Sequence, residues 1–235
     1  MRILLVGGGT LGSVSPLLAI AEQLKQKDSH IELLWVGTKA GPEKDLMMRY
    51  GIPFAHIRAG KLRRYFSARN IADILNIALG CIASLVVLYR FNPAIVIGAG
   101  SFVQVPVIFA THFFKRKTKI LIHQQDIQKG LANTLCSPFA NTITVGTEKS
   151  LQDFPPSKTI FTGNPYRKDI REGITSIAFK IFKLEQDIPV VLVVGGGTGS
   201  AALNRLVLQS LLPLTAFCQI IHITGKNKMH GGQLS

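Results

Sequence analysis

Two turns of the same make constrain this chain more than any other feature in it. VGGGTLG, Val6 to Gly12, and VGGGTGS, Val194 to Ser200, each follow a run of β-branched and apolar residues, RILLV and VVLVV, and each precedes a helical pattern. A strand that ends in glycines and feeds a helix leaves backbone N–H groups and the positive end of a helix dipole facing whatever sits above the turn, which favours phosphate. One such turn says little. Its recurrence about 190 residues further on predicts duplicated nucleotide-binding architecture, two Rossmann-like domains of the α/β class.

The stretches between the turns fit that class. Strand patterns fall at Arg2 to Val6, Ile31 to Val36, Ala94 to Ile97, Ile120 to His123 and Thr142 to Val145, with helical patterns between most of them, the alternation of a parallel sheet. The first helix is expected over about Ser15 to Lys27, with Pro16 near its first turn, where a missing N–H costs nothing. Pro155, Pro156 and Ser157 then interrupt regular structure, and Gly163-Asn164-Pro165 marks a tight turn at the approach to a hinge. A second domain opens with Pro189 to Val194, a helix near Ala201 to Leu211 and a strand near Cys218 to Thr224. Domains 1–162 and 163–235 are expected, the second of them truncated, because two strands leave a sheet with too little to cover it.

With 47% hydrophobic residues the chain is globular. Cys81, Cys136 and Cys218, odd in number and widely spaced, point to buried reduced thiols in a cytosolic protein, with neither a disulfide framework nor a zinc site. The start MRILLVGGG is too short an apolar run for a signal peptide. Lys and Arg outnumber Asp and Glu by 27 to 13, a formal net charge of +14, so the partners are anionic. The cations come as clusters (Lys61/Arg63/Arg64, Lys115/Arg116/Lys117, Arg167/Lys168) without interleaved aromatics, which argues against nucleic acid. Ile71 to Tyr89 is almost continuously apolar but carries Asp73, Asn76 and Gly80. A membrane span there would split the sheet. Two readings remain, a buried crossover helix, or an interfacial helix that docks on anionic headgroups beside Lys61, Arg63, Arg64, Arg69 and Arg90.

Six segments carry chemistry: GGTLGSVSP (Gly8 to Pro16), GAGSFVQVP (Gly98 to Pro106), HQQD (His123 to Asp126), GLAN (Gly130 to Asn133), GNPYR (Gly163 to Arg167) and GGGTGSAALN (Gly195 to Asn204). In this order they resemble the MurG family, bacterial transferases that move N-acetylglucosamine from its UDP donor onto an undecaprenyl-linked muramyl-pentapeptide. The resemblance implies a two-domain GT-B fold at the cytoplasmic face of the membrane. It also implies a polyprenyl-diphosphate-linked acceptor on the first domain, UDP-N-acetylglucosamine mostly on the second, and reaction in a cleft. No cofactor or metal is implied, since glycine-loop amides and a helix dipole stabilise the leaving diphosphate.

Carried over by position, the resemblance makes Thr10, Leu11 and Gly12 donor contacts, with Gly8, Gly9, Gly195, Gly196 and Gly199 in the phosphate-facing turns. Ser13 stands where the family has histidine. The family's His-Glu-Gln-Asn is here His123, Gln124, Gln125 and Asp126, its glutamate replaced by an amide. Arg167 matches an arginine that reaches toward the donor, Gly197 stands at a nucleotide-contacting serine, and Thr198 replaces a glutamine. An inverting transfer needs a base for the acceptor hydroxyl, and neither Ser13 nor Gln124 serves at neutral pH. Asp126 is therefore the candidate base, with His123 the other candidate catalytic residue. Each position also has a structural reading: plain strand-to-helix turns for the glycines, a pocket-filling ring for His123, a surface pair with Asp169 or Glu172 for Arg167. His222, Thr224 and Gly225 are read as structural. The family's later donor-binding segments have no counterpart before Ser235, so a non-catalytic acceptor-binding or partner-docking module is the rival to the enzyme.

Overall fold

The computed structural model describes residues 1–60, 69–197 and 199–225, with the side chains of 69–74 left aside. Lys61, Arg63, Arg64, the Arg69 side chain, Thr198 and the tail after Gly225 lie outside that description. The chain forms two compact units, Met1–Arg167 and Lys168–Ser235.

The first unit is built on a seven-stranded parallel sheet. Its strands are β1 (Arg2–Val6), β2 (Glu32–Gly37), β3 (Phe54–His56), β4 (Ile95–Gly98), β5 (Lys119–Gln124), β6 (Thr142–Val145) and β7 (Thr159–Phe161), in the spatial order β3-β2-β1-β4-β5-β6-β7. Helices α1 (Leu11–Lys27), α2 (Glu43–Arg49), α3 (Arg69–Phe91), α4 (Gln104–Phe114) and α5 (Leu131–Cys136) make the crossovers. Along β1 the side chains alternate: Ile3 and Leu5 join Leu17, Leu18, Trp35 and Met47 on one face, while Leu4 and Val6 join Leu88, Val96, Val103 and Val107 on the other. A sheet buried on both faces requires continuous apolar strands, which is why RILLV and AIVIG lack a polar stripe. A third cluster, Val105, Ile108, Ile120, Ile122, Ile143 and Phe154, closes the β5–β6 side.

Several expectations shift. Helix α1 begins at Leu11, four residues earlier than expected, so Pro16 lies inside it as the sixth helical residue. The cost is one bond, the N–H that Pro16 cannot donate to the Gly12 carbonyl, set against burial of its ring. Strands β3 and β7 were not expected; β7 occupies the stretch read as the approach to a hinge. In α3, Gly80 sits where a Cβ would collide with the Arg58 carbonyl and touch Pro106, so glycine there permits the close α3–α4 crossing. The buried-crossover reading of α3 holds for one of its faces. Gly80, Ser84 and Leu88 are buried, whereas Leu75, Leu79, Ile82, Val86 and Tyr89 form an exposed apolar stripe at spacings of four and three. No described helix is long and apolar enough to cross a membrane. Cys136 and Cys218 are buried as expected; Cys81 is only half-buried.

The second unit contains α6 (Lys168–Arg171), α7 (Thr175–Phe182), β8 (Val190–Val194), α8 (Ala201–Gln209), α9 (Leu211–Thr215) and β9 (Gln219–Ile223). The helix expected near Ala201 to Leu211 is α8, and the short α9, which was not expected, follows it after Ser210. Strands β8 and β9 pair in parallel; the apolar side chains of β8 are largely exposed, Leu192 at 59% and Val194 at 50%, and those of β9 are mostly half-buried.

Candidate active site at the switch point of the sheet

Strand order reverses between β1 and β4, and in open parallel sheets ligands bind beyond the C-terminal strand ends at such a point. A cavity of about 320 Å³ lies there. Its walls are the turn after β1 (Gly8, Gly9, Thr10, Gly12, Ser13), the loop after β4 (Ala99 to Phe102) and the loop after β5 (Gln124 to Asp126, with Gly130 and Asn133). A larger cavity, about 630 Å³, lies between the end of α1, the start of β2 and Tyr50 to Pro53. It sits beside the N-terminal ends of the strands and touches no glycine turn, so the chemistry is assigned to the smaller one.

The first glycine turn is not a row of free N–H groups. The Gly8 N–H donates to Ser101 Oγ at 3.2 Å, and the Gly9 N–H donates to Glu43 Oε2 at 3.2 Å. Glu43 is completely buried; its Oε1 also accepts from the Thr38 N–H at 2.7 Å and the Thr38 hydroxyl at 2.6 Å. What faces the cavity instead is the start of α1. Thr10, in extended conformation, provides no side-chain cap, which leaves the first-turn N–H groups of Leu11, Gly12 and Ser13 without intrahelical acceptors. The anion-attracting feature is this helix end.

Beneath the cavity floor runs a chain of buried amides. Gln104 Oε1 accepts from the Gly100 N–H at 3.0 Å, and its Nε2 donates to Asn133 Oδ1 at 2.6 Å. Asn133 Nδ2 donates to Gln124 Oε1 at 2.8 Å and to the His123 carbonyl at 3.0 Å. Gln124 Nε2 donates to the carbonyls of Asp126 at 2.7 Å and Gln128 at 2.9 Å. Every hydrogen-bonding atom of the Gln124 amide is thus engaged in holding the loop that presents Asp126. A carboxylate at this position would face two carbonyl oxygens.

His123 is 1% exposed and does not line the cavity. Its Nε2 lies 3.1 Å from Asn164 Oδ1 and its Nδ1 2.9 Å from Thr144 Oγ1. An amide oxygen only accepts, so Nε2 carries the proton and Nδ1 accepts from the threonine hydroxyl. Burial lowers its pKa, opposed in part by the Asn164 bond, and this favours the neutral ring. Asp126 is exposed and, among the described residues, is the only ionisable side chain on the cavity wall. Arg167 donates from Nη1 to the Tyr50 hydroxyl at 2.7 Å, outside the cavity wall, and Glu172 pairs with Lys168 at 3.2 Å.

In the second unit Gly196 and Gly199 have φ of +77° and +74°, and Ser200 Oγ accepts the Leu203 N–H at 3.3 Å, capping α8. A Cβ at Gly195 would press on Ser200 and one at Gly199 on Thr224 and Gly225; Gly197 is exposed. His222 Nε2 lies 2.9 Å from Asn204 Oδ1, and Asn204 Nδ2 donates to the Thr224 carbonyl at 2.9 Å.

Sequence reasoning singled out Thr10, Gly12 and Asp126, which the structure gathers at one cavity. It passed over Glu43, Ser101, Gln104 and Asn133. The last three lie inside motifs already marked, GAGSFVQVP and GLAN; Glu43 lies in none.

The glycosyltransferase family 28 N-terminal domain matches residues 3–145. Among curated proteins, the chain is 36% identical over 228 residues to a UDP-N-acetylglucosamine N-acetylmuramyl-(pentapeptide) pyrophosphoryl-undecaprenol N-acetylglucosamine transferase of Lachnoclostridium phytofermentans. It is 34% identical over 228 residues to the protein of the same name in Clostridium botulinum strain Langeland. Both alignments cover 97% of this chain but only 63% of the relative, so the chain spans under two thirds of their length. Among solved structures, Acinetobacter baumannii MurG aligns with a TM-score of 0.65 at 22% identity, covering 97% of this chain and 59% of that one. UDP-GlcNAc 2-epimerase from Methanocaldococcus jannaschii aligns at 0.60 and 13%, covering 94% and 65%. These likenesses show the fold, α/β of the GT-B type, with a Rossmann-like first unit and in the second the opening strand, turn, helix and strand of another. A match that takes in more than half of the chain, on a fold that solved neighbours share, places this protein in glycosyltransferase family 28.

Proposed function

We propose that this protein is an inverting transferase that moves N-acetylglucosamine from UDP-N-acetylglucosamine onto an undecaprenyl-diphosphate-linked muramyl-pentapeptide. The observation that carries the reading is the uncapped start of α1 opening onto a cavity whose only ionisable wall residue, among those described, is Asp126. In the reaction the acceptor hydroxyl oxygen forms a bond to the anomeric carbon as the bond from that carbon to the UDP oxygen breaks. Asp126 takes the hydroxyl proton, and the N–H groups of Leu11 and Gly12, with Thr10, face the charge that builds on the leaving diphosphate. Arg167 is assigned to the donor, and the turn containing Gly195, Gly196, Gly197 and Gly199 to the nucleotide. Gly8 and Gly9 shape the turn, and His123, neutral and doubly bonded, holds the β5 end in place without touching the reacting atoms.

The exposed stripe of α3 supports peripheral docking at the cytoplasmic face of the membrane. Lys115 Nζ lies 4.1 Å from the Tyr89 ring centre and Arg90 is exposed, so cations rim the apolar face. A second reading, an acceptor-binding module without catalysis, is favoured by Ser13 and Gln124, neither of which can act as a base. One experiment separates them. In the full-length protein, Asp126→Asn should cut UDP release in the presence of acceptor by about 10²- to 10⁴-fold, the range for loss of a general base, while UDP-sugar binding persists. Unchanged turnover removes Asp126 from the mechanism; no UDP release from the unaltered protein favours the module.

A further inference from the structure

Asn164 lies on the surface, yet its side chain reaches in to the buried ring of His123. Three features shape that reach. Asn164 Oδ1 accepts the His123 Nε2 proton at 3.1 Å. Asn164 Nδ2 donates at 3.4 Å to the carbonyl of Gln125, the residue before Asp126. A peptide carbonyl only accepts, so this bond fixes the direction of the Asn164 amide and, through it, the place of the His123 proton on Nε2. Finally, a Cβ at Gly146, just past the end of β6, would fall on Asn164 Oδ1. Gly146 has no positive φ, so glycine serves there by the room it leaves, and Asn164 fills that room.

The backbone around Asn164 is restricted on both sides. Gly163 holds a φ of +72°, which glycine adopts more readily than other residues, and Pro165 disfavours the helical region for the residue before it. Asn164 therefore belongs to a fixed link between β7 and Lys168, where the second unit begins. We propose that Asn164 is a positioning residue of the transfer, clipped by His123 so that it holds the Gln125–Asp126 peptide, and with it the Asp126 carboxyl, at the cavity wall. The Gln124 amide secures the same loop through the carbonyls of Asp126 and Gln128; Asn164 secures it through that of Gln125. The proposal rests on the transferase reading for the role of Asp126.

In the full-length protein, Asn164→Leu keeps the bulk and removes both bonds. It should lower kcat for UDP release with acceptor by about 10- to 100-fold, the scale of a misplaced catalytic group, with KM for UDP-N-acetylglucosamine changed by less than about twofold. Gly146→Ala, whose methyl takes the place of Oδ1, should do the same with Asn164 itself intact. At position 123 two amides separate positioning from packing: the side-chain nitrogen of glutamine can stand where Nε2 does, that of asparagine where Nδ1 does. His123→Gln should therefore keep most of the parental kcat, and His123→Asn should fall with Asn164→Leu. The Asp126 amide shares a peptide group with the Gln125 carbonyl, so its NMR resonance should move in Asn164→Leu, Gly146→Ala and His123→Asn and move least in His123→Gln. Parental kcat in Asn164→Leu or Gly146→Ala, or equal losses in the two His123 variants, overturns the positioning role. Should Asn164→Leu fail to fold, Gly146→Ala and the His123 pair carry the test. A parent protein that releases no UDP refutes the transferase reading; the Asp126 resonance then decides the clip, which movement in that pattern supports and an unmoved resonance in Asn164→Leu overturns.

Discussion

Glu43 offers the sharpest test of how the first glycine turn is held. Its carboxyl group accepts three bonds, two at Oε1 from Thr38 and one at Oε2 from the Gly9 N–H. A Cβ at Gly8 or Gly41 would collide with it, so it is enclosed tightly on both sides. In Glu43→Gln the amide oxygen can keep both Thr38 bonds, but the NH₂ group then meets the Gly9 N–H, donor against donor. A buried donor left unsatisfied costs about 1–3 kcal/mol. For a chain of this length each kcal/mol lowers the melting midpoint by roughly 2–4 °C, so the midpoint should fall by roughly 2–12 °C. Glu43→Ala, which also strands the Thr38 N–H, should cost about twice as much. Hydrogen exchange should localise the effect, with the Gly9 amide losing protection in both variants and the Thr38 amide only in the alanine one. If Glu43→Gln melts where the parent does and the Gly9 amide exchanges at its former rate, the carboxyl does not hold this turn and the account of the site floor is wrong.

Two further predictions concern charge and surface. Because burial lowers the His123 pKa, the unfolded chain binds more protons than the folded one between the lowered value and the ordinary 6.5. The stability due to the neutral ring is therefore complete above about pH 6.5 and is lost as pH falls through that window. Histidine ring NMR should give His123 a pKa below the ordinary value, and an ordinary or raised value refutes the assignment. On α3, Leu79→Asp should leave the melting midpoint within about 1 °C, since the residue is exposed. It should weaken sedimentation with acidic liposomes by roughly tenfold or more, as expected from losing one buried leucine; unchanged sedimentation removes the stripe from membrane docking.

The sequence revealed the buried strands best and the edges worst. Arg2 to Val6 and Thr142 to Val145 were placed end for end, because strands covered on both faces are unbroken apolar runs set off by turn residues. Phe54–His56 and Thr159–Phe161 are three-residue strands at the two edges of the sheet, too short for any period to register. Pro16 misled because proline favours the first turn of a helix; here the helix starts where Thr10 leaves the glycine turn, and proline is carried inside. In the candidate site, positions that stand out by residue type were legible and fall on the cavity wall: an exposed carboxyl at Asp126, glycines where a strand feeds a helix. Residues that act by contact were not. A glutamate in the first turn of a helix, as Glu43 is in α2, ordinarily reads as a surface charge favourable to the dipole. Only the fold shows it turned inward to a turn 34 residues back in the chain. Gln124 misled in the other direction, since a missing acid drew attention to lost chemistry while its amide was engaged in holding the loop.

The two glycine turns, alike in letters, have their first helices prepared differently. In the second, Ser200 caps α8 with its own hydroxyl, and Gly196 and Gly199 are needed for their positive φ, a conformation that costs other residues about 1 kcal/mol or more. In the first, Gly7 and Gly8 have no such φ; a Cβ there would strike Leu17 and Ser13 in the one case and the Glu43 carboxyl in the other. Glycine at those two positions therefore serves close packing behind the turn. That packing consumes the inward N–H groups of Gly8 and Gly9 on Ser101 and Glu43, and with Thr10 offering no cap it leaves the start of α1 as the place where donors point outward unsatisfied. An anion is thus directed to Leu11, Gly12 and Ser13, across the cavity wall that also carries Asp126. Under the proposed transfer, this helix end faces the leaving diphosphate, and Asp126, on the same cavity, takes the acceptor proton.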